Sequence, residues 1–328
     1  MISSTPPVIP FNKVSAFTKD GSEVKLPSKA DIHILHGWKV STLVGYNSAV
    51  KKFMTFQKSE NVTKFSLPVS GSTLEAFCIW AGRNSVSYNN GKISANSLRK
   101  YLAGLKAWHT YHDKQFPTLN EERIKLLLKA SSREDEFVSK VSQKLPIMLW
   151  HMTYLWQTLQ AGSDFDKAIL DLFIVAFWGL ARLAELTYCS DSGDVNFANS
   201  VLTTDVFFTT CDQGEAVTLT VRNAKTGAPG SPQIITLGEQ RHALCPVLAV
   251  RRRMASANGQ RTSLFGYNTE QNRTHVTRRK AVARLEEVLT AGGFHGLRGH
   301  SFRVGGASLR AALGMTWKDL DEICAPQF

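Results

Sequence analysis

The sequence predicts a protein that is mainly α with a small antiparallel β-sheet, divided into two domains. Three observations carry that expectation. At roughly 150 residues per domain, 328 residues suffice for two domains, each large enough to bury its own core. Apolar residues recur at helical spacing through most of the chain, and the period changes to two only between Val201 and Leu237. Hydrophobic residues make up 43% of the chain, which excludes wholesale disorder.

Residues 1–35 mix Pro, Ser, Lys and Gly without apolar period, which predicts a flexible N-terminal arm. Ser41 is a suitable N-cap, and Thr42 to Gln57 place Leu43, Tyr46, Val50, Phe53 and Met54 at helical spacing. Thr73 to Trp80 reads as a second helix. Ser94 to Tyr111 reads as a third, with Leu98, Tyr101, Leu102, Leu105 and Trp108 on one face. Together these form a helical domain over residues 36–117. Phe116-Pro117 breaks the pattern, and residues 118–145 interleave acidic and basic side chains, as a linker with a short helix does.

The second domain spans residues 146–328. Pro146 opens a helix holding Leu149, Met152, Leu155, Trp156 and Leu159, and Phe165 to Tyr188 reads as one long apolar helix. The sheet follows as Val206-Phe207-Phe208, then Val217, Leu219 and Val221 alternating with Thr, then Ile234-Ile235. Pro246 at a first helical position, Gly259 past an end, Thr277 before a helix and Gly292-Gly293 after it delimit two more helices. A last one runs from His300 to Leu313 and stops at Gly314.

Lys and Arg number 39 against 27 Asp and Glu, a net charge of +12 that favours an anionic partner. The excess is uneven: residues 1–118 hold 15 basic against 6 acidic side chains, and residues 146–328 hold 18 against 16. A lysine-rich first half suits the neutralisation of phosphates. Candidate contacts to DNA are Lys51, Lys52, Arg99, Lys100 and Lys106, off the apolar faces of the first domain, and Arg278, Arg279 and Lys280 in the second. The five Cys never form Cys-x-x-Cys, and no His pair has ligand spacing beside a carboxylate or thiolate, so neither a metal nor another cofactor is expected. The longest uncharged apolar stretch, Leu172 to Ala181, is ten residues, about half a membrane span, so no membrane partner is expected. The absence of a basic start followed by an apolar run predicts an intracellular protein.

Three separated signals carry chemistry. Arg182 and Glu185, three residues apart, share one face at the end of a buried helix; Lys225 stands at a strand-turn-strand tip; His300 and Arg303 lie one turn apart. Singly, each admits a structural reading: an ion pair, a turn lysine, a helix-end residue. Together and in this order, Gly179-Leu180-Ala181-Arg182-Leu183-Ala184-Glu185-Leu186, Asn223-Ala224-Lys225-Thr226-Gly227 and Gly299-His300-Ser301-Phe302-Arg303-Val304-Gly305-Gly306-Ala307 resemble the three boxes of the tyrosine recombinase (phage-integrase) family. Their spelling, with Leu244-Cys245-Pro246-Val247 between them, is similar to the eukaryotic branch of Crypton and DIRS-type transposon recombinases. Asn96 to Leu105 resembles the family's helical core-binding domain.

The resemblance implies a helical, SAM-like core-binding domain and a mixed α/β catalytic domain that close around duplex DNA. It implies that Arg182 and Arg303 fork onto the non-bridging oxygens of the scissile phosphate. Lys225 would protonate the departing 5′ oxygen, His300 would assist as acid/base, and Glu185 would orient its neighbours without touching phosphate. The family nucleophile is a Tyr beyond the second Arg box, yet no Tyr follows Tyr267. The nucleophile helix is therefore expected beyond Phe328, and residues 1–328 are expected to bind DNA without forming a phosphotyrosine. The alternative is a domesticated, sequence-specific DNA-binding protein without catalysis. The resemblance further implies an inverted-repeat target, a homotetramer on DNA, a monomer off it here, and a nuclear location if the host is eukaryotic.

Overall fold

The computed structural model describes residues 9–84, 91–118, 121–138, 145–211, 214–222, 231–270 and 272–314. The chain divides into two compact units, the first Thr5–Val141 and the second built on Ser142–Phe328.

The first unit is a helical bundle of α1 (Lys29–Leu35), α2 (Val40–Ser59), α3 (Gly71–Ala81), α4 (Ala95–Tyr111) and α5 (Glu121–Glu134). Its core is aromatic: the Phe53 ring lies 5.3 Å from Phe77 and 6.2 Å from Trp108, all three fully buried. Helices α2 and α4 pack closely because Gly104 faces Ala49, where a Cβ would come within 2.9 Å of the alanine methyl. Ser70 and Ser94 cap α3 and α4 by accepting the Thr73 and Ser97 N–H groups. Helix α2 begins one residue before the expected cap: Lys39, not Ser41, is its N-cap residue.

Two expectations need correction here. Residues 9–35 are no flexible arm. Ile9, Val14, Ala16 and Phe17 are buried, and the Asn47 carboxamide accepts the Ala16 and Phe17 N–H groups at 2.8 and 2.9 Å. Trp108 Nε1 donates to Lys19 O, and residues 29–35 are helical. Before that helix the segment shows no apolar period because side chains distant in sequence, rather than a long regular element, fasten its backbone. Nor is the linker merely a linker: α5 buries Ile124 and Leu128 in the first unit's core. Asp135, just past it, accepts the Ala95 N–H at the start of α4 and pairs with Arg83.

The second unit is organised around α7 (Asp164–Trp178), buried nearly all round and packed by α6 (Leu149–Leu159), α9 (Pro246–Ala257) and α11 (Ser301–Ala312). A sheet of β1 (Val206–Cys211), β2 (Gly214–Val221) and β3 (Gln233–Gly238) is antiparallel in that order. Its register aligns Val206, Leu219 and Ile235, then Phe208, Val217 and Leu237, on the core face. A short hairpin, β4 (Gly266–Asn268) with β5 (Arg273–His275), precedes α10 (Arg278–Ala291). At three residues per strand it is too short to show a period. Helix α6 starts at Leu149 rather than Pro146, since residues 145–148 lie in no regular element and Ile147 N–H donates to Ser301 O at 3.0 Å. Among the described residues no helix is long and apolar enough to cross a membrane. No group of three or more His, Cys, Asp or Glu there could hold a metal.

Candidate functional site

The long helix expected over Phe165–Tyr188 is two elements, and the break between them builds the site. Helix α7 stops at Trp178 in a Schellman turn: Ala181 N–H donates to Ala176 O at 3.1 Å and Leu180 N–H to Phe177 O at 3.4 Å. The left-handed position of such a turn usually belongs to glycine, but here it is Leu180, at φ 48° with its side chain buried. Gly179 precedes it because a Cβ there would fall 2.7 Å from Ile235 Cγ2 and 2.8 Å from Val175 O.

Arg182 then caps the one-turn helix α8 (Leu183–Leu186). Glu185 holds Arg182 twice, its Oε2 accepting the Arg182 backbone N–H at 2.9 Å and its Oε1 the Nη1–H at 2.8 Å. The Glu185 side chain is 4% exposed and that of Arg182 22%, so the carboxylate is buried while the guanidinium reaches the surface. The G-x-x-R-x-x-E spacing is thus a helix stop followed by the carboxylate half of a capping box, in which Glu185 accepts the Arg182 N–H and pins the arginine backbone.

Helix α11 brings the second arginine to this turn. Arg303 Nη1 donates to Leu180 O at 2.9 Å, two residues along the chain from Arg182. The approach depends on the glycine pair that follows. A Cβ on Gly306 would sit 2.2 Å from Phe177 O, and one on Gly305 1.8 Å from Ile147 O. Phe302 stacks on Phe173 with ring centroids 4.8 Å apart, which fixes the helix's rotation. His300, exposed at the N-cap of α11, lies one turn before Arg303. Gly299 packs against Leu183 of α8.

Arg182, Glu185 and Arg303 therefore converge on one turn, with His300 on the same helix as Arg303. Lys225 falls in residues 223–230, outside the described residues. Arg222, just before it, is held by Asp205 and lies over the Phe197 ring. Of the candidate DNA contacts, Lys51, Arg99, Lys100 and Lys106 are exposed on α2 and α4, and Arg278 and Arg279 on α10. Two others are already engaged. Lys52 Nζ donates to Gly91 O at 2.8 Å and lies over the Trp80 ring, and Lys280 pairs with Asp191 at 2.8 Å. Two residues that shape this turn lie outside the sequence expectations: Leu180, and Arg310 of α11, whose Nη2 donates to Trp178 O. Leu180 gives no signal, because its conformation is unusual for its type. Arg310 could have been noticed from its seven-residue spacing after Arg303, one stripe of a helix.

No protein-family model matches the sequence, and no curated protein matches it. Solved structures do. The chain is similar to the XerH site-specific recombinase bound to its difH substrate, with a TM-score of 0.54 and 13% identity, over 100% of this chain and 85% of that one. It is also similar to the Tn1549 transposon integrase in complex with circular intermediate DNA, with a TM-score of 0.51 and 15% identity, over 96% and 92% of the two chains. At these identities the likeness concerns the fold: this chain has the fold of the tyrosine recombinase core-binding and catalytic domains.

Proposed function

We propose that this protein is a DNA-binding member of the tyrosine recombinase family, on its eukaryotic Crypton and DIRS-type side, that grips duplex DNA and activates one phosphodiester. The observation that carries this reading is the Leu180 turn, which joins Arg182, fixed by Glu185, to Arg303 reaching in from α11. Attack at phosphorus crowds charge onto the non-bridging oxygens, and two preorganised guanidinium forks stabilise it far better than a mobile ammonium. Lys225 is the proton donor to the departing 5′ oxygen, and His300 assists. The exposed lysines of the first unit supply sequence-independent binding to the backbone.

The remaining requirement is a nucleophile. In the second unit Tyr188 is buried, its hydroxyl bonded to Val201 O and Phe265 N, while Tyr154 and Tyr267 pack on Phe294 and Phe165. Residues 1–328 therefore bind and polarise the phosphate without forming a covalent adduct. The partner is double-stranded DNA with inverted arms, bound by a tetramer that assembles from monomers on the DNA, in the nucleus of its host.

The test is selection of duplexes from a random pool by this polypeptide, beside an Arg182→Ala/Arg303→Ala form. The expected result is a motif of two inverted arms that the double variant enriches poorly, with no adduct on a denaturing gel. Salt-sensitive binding without a motif, unchanged in the double variant, would overturn the reading.

A further inference from the structure

Arg310, two turns beyond Arg303 on α11, stands outside the phosphate pocket proposed above. Seven residues advance a helical side chain by nearly two full turns, so Arg303 and Arg310 share one stripe. They also share a target. The end of a helix leaves carbonyls without intrahelical donors, and the stop of α7 leaves those of Trp178 and Leu180 to be met from outside. Arg303 Nη1 donates to Leu180 O, and Arg310 Nη2 donates to Trp178 O. Gly306 lies between the two arginines, against Phe177 O. The carbonyls of residues 178 and 180 thus accept from one face of α11, and the same face packs against that of residue 177.

Arg310 is partly buried, and burial holds its guanidinium below the usual arginine value. Among the described residues no carboxylate pairs with it. Among the described residues its compensation is the negative end of α7 and one carbonyl. A guanidinium so placed is costly, and an apolar residue of similar length would cover the same surface without that cost.

We propose that Arg310 is a positioning residue for the phosphate pocket: by occupying the Trp178 carbonyl it leaves Arg303 bonded to Leu180 alone, with its other donors kept for the anion. Without Arg310, two carbonyls in the same turn compete for the five donors of Arg303. The fork then turns inward and the pocket loses part of its second clamp. The inference rests on reading Arg182 and Arg303 as the phosphate pocket.

The experiment uses the full 328-residue protein with ¹⁵N-labelled arginine and inorganic phosphate as the probe, at low ionic strength. Arg182→Lys and Arg303→Lys variants assign the two Nε–H signals. In the wild type both signals move together on titration. In Arg310→Met the apparent Kd for phosphate rises about tenfold, the scale of one hydrogen bond to a charged group, and Arg310→Lys, which retains a donor, restores most of it. The double variant Arg303→Lys/Arg310→Met binds no more weakly than Arg303→Lys alone, because Arg310 acts through Arg303. Should Arg310→Met fail to fold, Arg310→Leu, which likewise has no donor, is read in the same way. A purely structural role would lower the unfolding midpoint and leave phosphate affinity at the wild-type value; that result, or additive losses in the double variant, overturns the inference while the pocket stands. Wild-type signals that ignore phosphate overturn the pocket itself, and the inference with it.

Discussion

Of the 20 lysines and arginines in Thr5–Val141, 16 are Lys, whereas 14 of the 19 in Ser142–Phe328 are Arg. Placement follows chemistry. In the first unit the cations stand mostly on exposed helix faces, as Lys51, Lys58, Lys100 and Lys106 do. In the second, many are held by carboxylates or carbonyls. Arg252 and Arg253 share the buried Asp171, Arg284 joins Asp166 to Glu287, Arg222 forks onto Asp205, and Arg303 and Arg310 hold the end of α7. A solvated ammonium follows a phosphate backbone without demanding geometry, whereas a planar guanidinium fixes angles. On the function proposed above, the first unit would hold a polyanion anywhere along its length and the second one phosphate in one orientation.

Each unit also buries titratable groups by which it can be tested. The first unit buries two neutral imidazoles: His109 Nε2 accepts the Val69 N–H at 3.2 Å while Nδ1 bonds Leu105 O, and His112 Nε2 bonds Phe17 O. The second buries a carboxylate between two arginines.

The largest expected effect breaks the second unit's side of this comparison. Asp171→Ala leaves Arg253, whose side chain is 7% exposed, without its carboxylate. The cost is about 3–5 kcal/mol of unfolding free energy, seen as an early denaturant transition of the second unit with the first unmoved. A shift under about 1 kcal/mol would mean that the Gly266 carbonyl and water satisfy Arg253 instead.

The next effect belongs to the first unit and is read in pH. Burial lowers the pKa of both His109 and His112 below the free imidazole value. The folded form thus favours the neutral rings, and unfolding takes up protons. The stabilisation is complete above the unfolded value, near 6.5, and falls away as pH drops through it. The slope approaches about 1.4 kcal/mol per pH unit for each histidine. Unfolding followed by tryptophan fluorescence between pH 7.5 and 5 checks this; a pH-independent midpoint for the first unit would refute it.

The smallest effect on stability is the most telling for binding. Lys51→Ala/Lys106→Ala changes two exposed side chains, so stability stays within about 0.5 kcal/mol. DNA affinity falls alike on every sequence, and the log–log salt slope drops by about two. Arg303→Ala is expected to do the reverse, costing motif preference and changing the slope by about one. Equal slopes and equal preferences in both variants would erase the functional distinction between the units.

Much of this was legible in one dimension. The helical periods of α3 and α4, the β-alternation of Val217, Leu219 and Val221, and the order of Arg182 and Arg303 across separate boxes depend on local spacing. Other features were not, because their causes are distant in the chain. Phe17 belongs to the core since Asn47 and His112, far from it in sequence, take its backbone groups. Ile124 and Leu128 turned a presumed linker into part of the bundle because the apolar face they complete lies on other helices.

The site divides along the same line. By itself the sequence determined which residue types were available: two arginines, a carboxylate three residues from one of them and a histidine three residues before the other, with glycines where backbones must meet. The tertiary structure alone decided that α7 ends at Trp178, with Leu180 in a left-handed turn that nothing in its side chain favours. It also decided that Arg303 and Arg310 meet the carbonyls that turn leaves open. Local propensity is written residue by residue. The partner of an orphan carbonyl 123 residues away is chosen only when the helices pack.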